Sequence, residues 1–157
     1  QAGFRAALAE ATGERDPIVV PGDYSEASGA DAARLLIAAR TQVDAIFCAN
    51  DMMAVGCCGV LKEAGIAIGD RVGVAGFDDI PIAHYAEPGL TTMNVRIAEM
   101  GASAADKLIA LMNGATLAEE MSILAPQLVA RGSTRRLRAL PPLTEDLICH
   151  LQQGKLS

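Results

Sequence analysis

Ile18-Val19-Val20-Pro21-Gly22-Asp23-Tyr24, Ala45-Ile46-Phe47-Cys48-Ala49-Asn50-Asp51 and Val72-Gly73-Val74-Ala75-Gly76-Phe77-Asp78-Asp79 are three versions of one pattern. In each, an apolar run stops at small polar or acidic residues just where a helical pattern begins. Short apolar runs without alternation read as strands covered on both faces, as in a parallel sheet. Ligands of such sheets bind outside the carboxyl ends of the strands. Tyr24, Asn50 and Asp78 stand at those three ends and are candidates for one common crevice.

Outward from these runs the chain alternates. Helical patterns cover 2–12, 26–40, 52–64 and 96–113, with a short helix at 81–86. Strands are expected at 17–20, 44–49, 72–76, 90–93, 121–125 and 127–133. Strands separated by helices pair in parallel through right-handed crossovers, which gives an α/β fold with a parallel, doubly wound sheet. The punctuation agrees. Ser25 is placed to cap helix 26–40, Asp51 to cap helix 52–64, and Asp79 to cap the short helix. Gly65 suits a C-terminal turn, Pro81 a first helical position, and Asn113-Gly114 a helix end. In the tail, Pro141-Pro142 interrupts the chain and Thr144 is placed to cap a last short helix carrying Leu147, Ile148 and Leu151.

Half of the 157 residues are apolar and a fifth are charged, enough for one domain with a core. The net charge of −6 argues against non-specific binding to DNA or to an anionic membrane. No apolar stretch reaches membrane-spanning length. The chain opens inside a helical pattern (Phe4, Ala7, Leu8, Ala11), so Gln1 is expected to be an internal position of a longer protein. Cys48, Cys57, Cys58 and Cys149 lack zinc-ligand spacing, and neither His84 nor His150 completes a set; no metal and no cofactor are expected. The thiols read as reduced core residues of a cytoplasmic protein. Phosphoryl chemistry at an acidic strand end needs a strand-end lysine, and Lys62, Lys107 and Lys155 stand elsewhere. There is no Walker loop and no Gly-x-Ser-x-Gly elbow, so the chain does not read as an enzyme. Arg131, Arg135, Arg136 and Arg138 read as a solvated strand end and tail.

Helix 52–64 has almost no polar face before Lys62. A helix apolar all round is buried on two sides. One side can cover the sheet; a second copy of the chain is expected to cover the other, through Met52, Val55 and Val60 together with Ile82 and Tyr85 of the segment 79–85. Helix 96–113 carries a stripe of Ile97, Met100, Gly101, Ala104, Leu108, Leu111 and Met112 that also needs cover.

In order and spacing, the stretches 44–56 and Gly76-Phe77-Asp78-Asp79-Ile80, then Pro88-Gly89-Leu90-Thr91-Thr92, then Leu128-Val129-Ala130-Arg131-Gly132-Ser133-Thr134 resemble the lactose/galactose repressor (LacI/GalR) family. Ala2-Gly3-Phe4 and the segment Gly22-Asp23-Tyr24 through Gly29 also match, so the resemblance spans roughly residues 1–135. It implies a bacterial transcriptional regulator: a homodimer whose N-terminal helix-turn-helix binds operator DNA, and whose periplasmic-binding-protein-like, two-lobed domain binds a small-molecule effector such as a sugar, sugar phosphate or nucleoside. This chain is then a fragment of that two-lobed domain, with the DNA-binding module outside it. Residues 1–95 would form the second lobe, 96–125 would belong to the first, 126–140 would hold the return strand, and 141–157 the tail. Position by position, the resemblance makes Tyr24 the aromatic that packs on the ligand ring. Asn50 becomes a hydroxyl-bonding residue, Asp78 the anchoring carboxylate, and Ile97 and Met100 apolar lining. Val95 departs from the family, standing where several members carry Gln, and the family's Arg ahead of Gly3-Phe4 would fall just before Gln1. An exported sugar-binding protein of a transport system shares the fold; the apolar helix 52–64 and the final strand favour the regulator.

Overall fold

The computed structural model describes residues 1–13, 16–116 and 121–139. They fall in two compact units, one holding residues 1–21 and the other Gly22–Ala139. The first contains helix α1 (Ala2–Thr12), which ends at Gly13 in the left-handed region (φ 76°), with the Gly13 amide donating to Ala9 O. Arg5 pairs with Asp16 at 3.1 Å. The expected strand 17–20 is not a strand, and Ile18 and Val19 are exposed. Pro17 and Pro21 bracket it, and each removes a backbone donor that a sheet ladder would use.

The second unit runs α2 (Glu26–Ala38), β1 (Ala45–Phe47), α3 (Asp51–Glu63), β2 (Gly73–Ala75), α4 (Pro81–Tyr85), β3 (Thr92–Asn94), α5 (Ile97–Met112) and β4 (Gln127–Val129), then a 3₁₀ stretch, Gly132–Ala139. β1 and β2 pair in parallel with Ile46 opposite Val74. Parallel bridges Ala75–Thr91 and Asp78–Asn94 carry the sheet on to β3. β4 is antiparallel to β3, with Asn94 opposite Gln127 and Thr92 opposite Val129. The chain therefore leaves β3 and re-enters at the same end, where a parallel crossover would return it to the other. The expected strand 121–125 does not form, because no described strand lies beside it to take its hydrogen bonds. The strand expected over 127–133 leaves the ladder after Val129. The expected last helix at Thr144 lies outside the described residues.

Local signals set the helix ends. Ser25 Oγ accepts from Ser28 N at 3.1 Å, as a cap should. Gly65 (φ 70°) follows α3 and Gly114 (φ 79°) follows α5. Pro81 opens α4. Asp51 is not the cap of α3: Asn50 caps it, with Oδ1 accepting from Met53 N at 2.9 Å. Asp51 instead turns inward and is fully buried. Its Oδ1 accepts from Thr92 Oγ1 at 2.6 Å and its Oδ2 from Ile80 N at 2.9 Å. The carboxylate therefore joins the start of α3 to β3 and to the start of α4. It also explains Gly76, where a Cβ would lie 2.2 Å from Asp51 Oδ1.

The core lies between α2, α3 and the sheet, around Ala33, Leu36, Met53, Ala54, Cys57, Leu61, Val74 and Leu90. Cys48 and Cys57 are buried free thiols; a hydrogen bond with Cys57, then burial, pushes Cys48 up. Val60, expected at the two-fold interface, belongs to this core at 7 % exposure, so that part of α3 is already covered within the single chain. α2 and α3 approach backbone to backbone: a Cβ on Gly29 would lie 2.0 Å from Met53 O, and one on Gly56 1.9 Å from Glu26 O. α5 buries no residue; Ile97, Met100, Leu108, Ile109, Leu111 and Met112 are exposed.

Two expected outcomes follow from this packing. Gly29→Ala or Gly56→Ala would favour an isolated helix, yet here each should lower stability by about 1–3 kcal/mol, the scale of overpacking. A denaturation midpoint at or above the parent's would show that the helices separate freely. Asp51→Ala strands the Ile80 amide and the Thr92 hydroxyl and should cost about 3 kcal/mol. Chemical denaturation measures this, and a loss below about 1 kcal/mol, within a typical hydrogen bond's net worth, would show that other acceptors replace the carboxylate.

Candidate functional site

The carboxyl ends of β1, β2 and β3 lie on one side of the sheet, because the three run parallel. At the first end, Asn50 uses both ends of its amide locally: Oδ1 caps α3, and Nδ2 donates to Tyr24 O at 3.0 Å. That bond brings two of the sequence candidates together. Tyr24 sits in the left-handed region (φ 69°) with an exposed side chain. Beside it, Asp23 Oδ1 accepts from Ser25 N at 3.0 Å and Ser25 Oγ at 2.5 Å, and Ser28 Oγ accepts from Asp23 N. The Ser25 bonds, then Ser28, hold the Asp23 carboxyl down at about 2.

At the second end, Asp78 (φ 110°) and Asp79 (φ 56°) are consecutive non-glycine residues in the left-handed region. Each such residue costs about 1–3 kcal/mol, and they gather at functional sites. Asp78 is half-buried, and its carboxylate accepts no hydrogen bond from a described residue. Burial, then the negative charge of Asp51, pushes it above the ordinary aspartate range.

Asp79 is not the cap of α4. Its Oδ1 accepts from Arg131 Nη2 at 2.8 Å and its Oδ2 from Asn94 Nδ2 at 2.9 Å. The N-cap of α4 is Ile80, which makes no side-chain cap hydrogen bond. Arg131 is correspondingly not solvated. Its side chain is 18 % exposed, and Nη1 donates to Leu90 O at 2.8 Å. Arg135 pairs with Asp70 at 2.9 Å on the surface. Asn94 and Arg131 were missed as site residues. Asn94 could have been found by the same strand-end logic, applied to the run 90–93. Arg131 had no local signal, because its partner lies 52 residues away.

An open depression of about 830 Å³ lies at this edge, lined by Asp78, Asp79, Asn94, Arg96, Ile97 and Gln127 among others. Arg96 pairs with Glu99, another lining residue, and its amide donates to Asn94 Oδ1 at 2.8 Å. Asp78 and Ile97 thus line the same depression. Met100 lines a separate, smaller pocket of about 180 Å³ with Ser122 and Leu124, and Tyr24 and Asn50 lie outside both linings. Of the residues expected at a two-fold interface, Met52 and Val55 are half-buried, and Ile82 and Tyr85 are exposed. His84 meets the Tyr85 ring edge-on at 5.3 Å between centroids.

Residues 1–134 match the family model of a periplasmic binding protein-like domain. The HTH-type transcriptional regulator GalR of Escherichia coli K12 is 35% identical over 147 residues, which is 92% of this chain and 43% of that protein. Among solved structures, a complex of the transcriptional regulator CelR with cellobiose has a TM-score of 0.77 at 35% identity, over 83% of this chain and 40% of that one. The dimeric Lac repressor with an 11-residue C-terminal deletion has a TM-score of 0.77 at 28% identity, over 85% of this chain and 48% of that one. The chain spans about two fifths of the length of the curated relatives it matches. With its strand-end acids, parallel β1–β2 pair and buried Asp51, this chain belongs to the LacI/GalR family, within its periplasmic-binding-protein-like effector region.

Proposed function

We propose that this chain is the effector-sensing and dimerising part of a bacterial transcriptional regulator. It binds a small sugar-like molecule (a sugar, sugar phosphate or nucleoside), and binding controls operator DNA contact by a helix-turn-helix N-terminal to this sequence. The observation that carries the reading is Asp78: a half-buried carboxylate with no described donor, facing a depression at the end of a strand. A free carboxylate accepts two vicinal hydroxyls well. Asn50 keeps a second amide hydrogen and a second lone pair for a ligand, and Tyr24 offers an exposed aromatic face. Ile97 gives the depression an apolar side, and Met100, which lines the smaller pocket, is assigned to the apolar lining as well. CelR, solved with cellobiose, supports the sugar class. The regulators among the relatives favour this reading over an exported transport protein.

The lobe assignment fits the same picture. Residues 1–95 and 126–140 are read as the second lobe and 141–157 as a tail. The segment 96–125 is read as part of the first lobe, whose sheet would cover the stripe on α5. Homodimerisation is assigned to Met52 and Val55 of α3 with Ile82 and Tyr85 of α4, as the dimeric Lac repressor supports. The protein works in the cytoplasm, without catalysis and without a cofactor.

The test is a calorimetric screen of the intact regulator against monosaccharides, cellobiose, sugar phosphates and nucleosides, with operator binding followed in parallel. Absence of binding in every class would overturn the reading. Asp78→Ala should weaken a bound sugar by about 2 kcal/mol, the scale of a lost hydrogen bond to a charged group; unchanged affinity would remove Asp78 from the site. Because the folded carboxyl lies above its unfolded value, ionising Asp78 costs stability. That cost is absent below about pH 3.9 and grows as the pH rises through the folded value. Sugar affinity should run the other way, falling as the pH drops through that value.

Ile82→Asp places a charge on the proposed two-fold surface and leaves the core alone, since Ile82 is 43% exposed. Light scattering of the intact regulator at micromolar concentration should show monomers. A dimer unaffected by this change and by Val55→Asp would place the interface elsewhere.

A further inference from the structure

Three successive amides of the strained turn donate to three acceptors, two on β3 and one at the start of α3. Asp78 N donates to Met93 O at 3.0 Å, Asp79 N to Thr92 Oγ1 at 3.3 Å, and Ile80 N to Asp51 Oδ2 at 2.9 Å. Backbone of this kind persists only where its surroundings over-determine it. The side chain of Asp79 adds the rest, with one oxygen on Asn94 Nδ2 at 2.9 Å and the other on Arg131 Nη2 at 2.8 Å. Arg131 is itself fixed by Leu90 O at 2.8 Å, and Asn94 by the Arg96 amide at 2.8 Å. The two neighbouring acids thus have opposite fates. Among the described residues, Asp79 is bonded on both oxygens and Asp78 on neither. We infer that Asp79, Asn94 and Arg131 are positioning residues for Asp78, holding the turn so that the Asp78 carboxylate faces the depression. This rests on the reading of Asp78 as the effector-binding carboxylate.

The charged groups around Asp78 are Asp51 of α3, Asp79 of the turn, Arg96 and Glu99 at the start of α5, and Arg131, which reaches it through Asp79. That arrangement separates positioning from simple electrostatics. If charge alone acted, Asp79→Asn would lower the Asp78 titration midpoint and Arg131→Gln would raise it. If the turn is held in place by these bonds, both variants lower the midpoint toward the ordinary aspartate range, because a relaxed turn returns the carboxylate to water. Asn94→Ser changes no charge and should lower it as well.

The measurement is a carbon-13 NMR titration of the Asp78 carboxyl in the labelled chain, with the Val74 and Leu90 amide signals as a control for the intact core. Three downward shifts are expected. Opposite shifts for Asp79→Asn and Arg131→Gln, or an unmoved midpoint in Asn94→Ser, would overturn the inference. Should either charge variant lose the core signals, Asn94→Ser alone decides. The readout contains no ligand, so its failure is distinct from a failure of Asp78→Ala to weaken sugar binding.

Discussion

The buried carboxylate of Asp51 is the constraint from which this arrangement follows. A charge with no exposure is tolerable only if its oxygens are bonded. Here the donors come from β3, through Thr92, and from the start of α4, through Ile80. Meeting that demand fixes where the sheet edge lies relative to α3. It also demands a glycine at position 76, since no side chain fits against the carboxylate. The turn at Asp78 and Asp79 begins two residues later, and its geometry is bounded on one side by that packing. A second buried polar anchor works in parallel at the far edge. Ser133 Oγ donates to Val74 O at 2.6 Å and accepts from Thr91 N at 2.8 Å, tying the last described segment to the centre of the sheet.

Five acids near the strand ends look alike as letters, and the fold gives each a separate job. Asp23 is held ionised by its own serines. Asp51 is spent on the core. Asp79 is bound to an arginine and an asparagine. Glu99 is paired with Arg96. Asp78 alone among them keeps its carboxylate oxygens free of described donors. The chemistry of the depression comes from this division of partners, since the net acidity of the segment says nothing about which carboxylate can receive a ligand.

The parts of the fold legible in the sequence were those decided by short-range physics. Ser25, Gly65, Pro81 and Asn113-Gly114 marked helix ends because capping and turn chemistry act within a few residues. The runs at 44–49 and 72–76 contain strands, and the run at 90–93 overlaps β3, which extends to Asn94. The runs at 17–20 and 121–125 look similar on paper, but a strand exists only with a partner, and the partner is not written in the run. The exchange of roles between Asn50 and Asp51 has the same origin. Both residue types cap helices, and the choice was made by Thr92, 41 residues away. Val60, expected at an interface because helix 52–64 is apolar all round, is buried within the chain, and the glycines that let α2 and α3 approach gave no sign of doing so in the sequence. Asp78 was found at its strand end, whereas its surroundings, Asn94 and Arg131, required the fold.

The antiparallel register of β3 and β4 treats everything from Val95 to Pro126 as one closed excursion, entered and left through the same two-strand gate. The cost of closing a loop grows only slowly with its length, by about 0.6 kcal/mol for each doubling. Material can therefore be added to or taken from that excursion with little thermodynamic effect on the sheet it springs from. The same two strands join it to the compact unit Gly22–Ala139. Both ends of the excursion meet the site, since Asn94 and Gln127 line the same depression as Asp78.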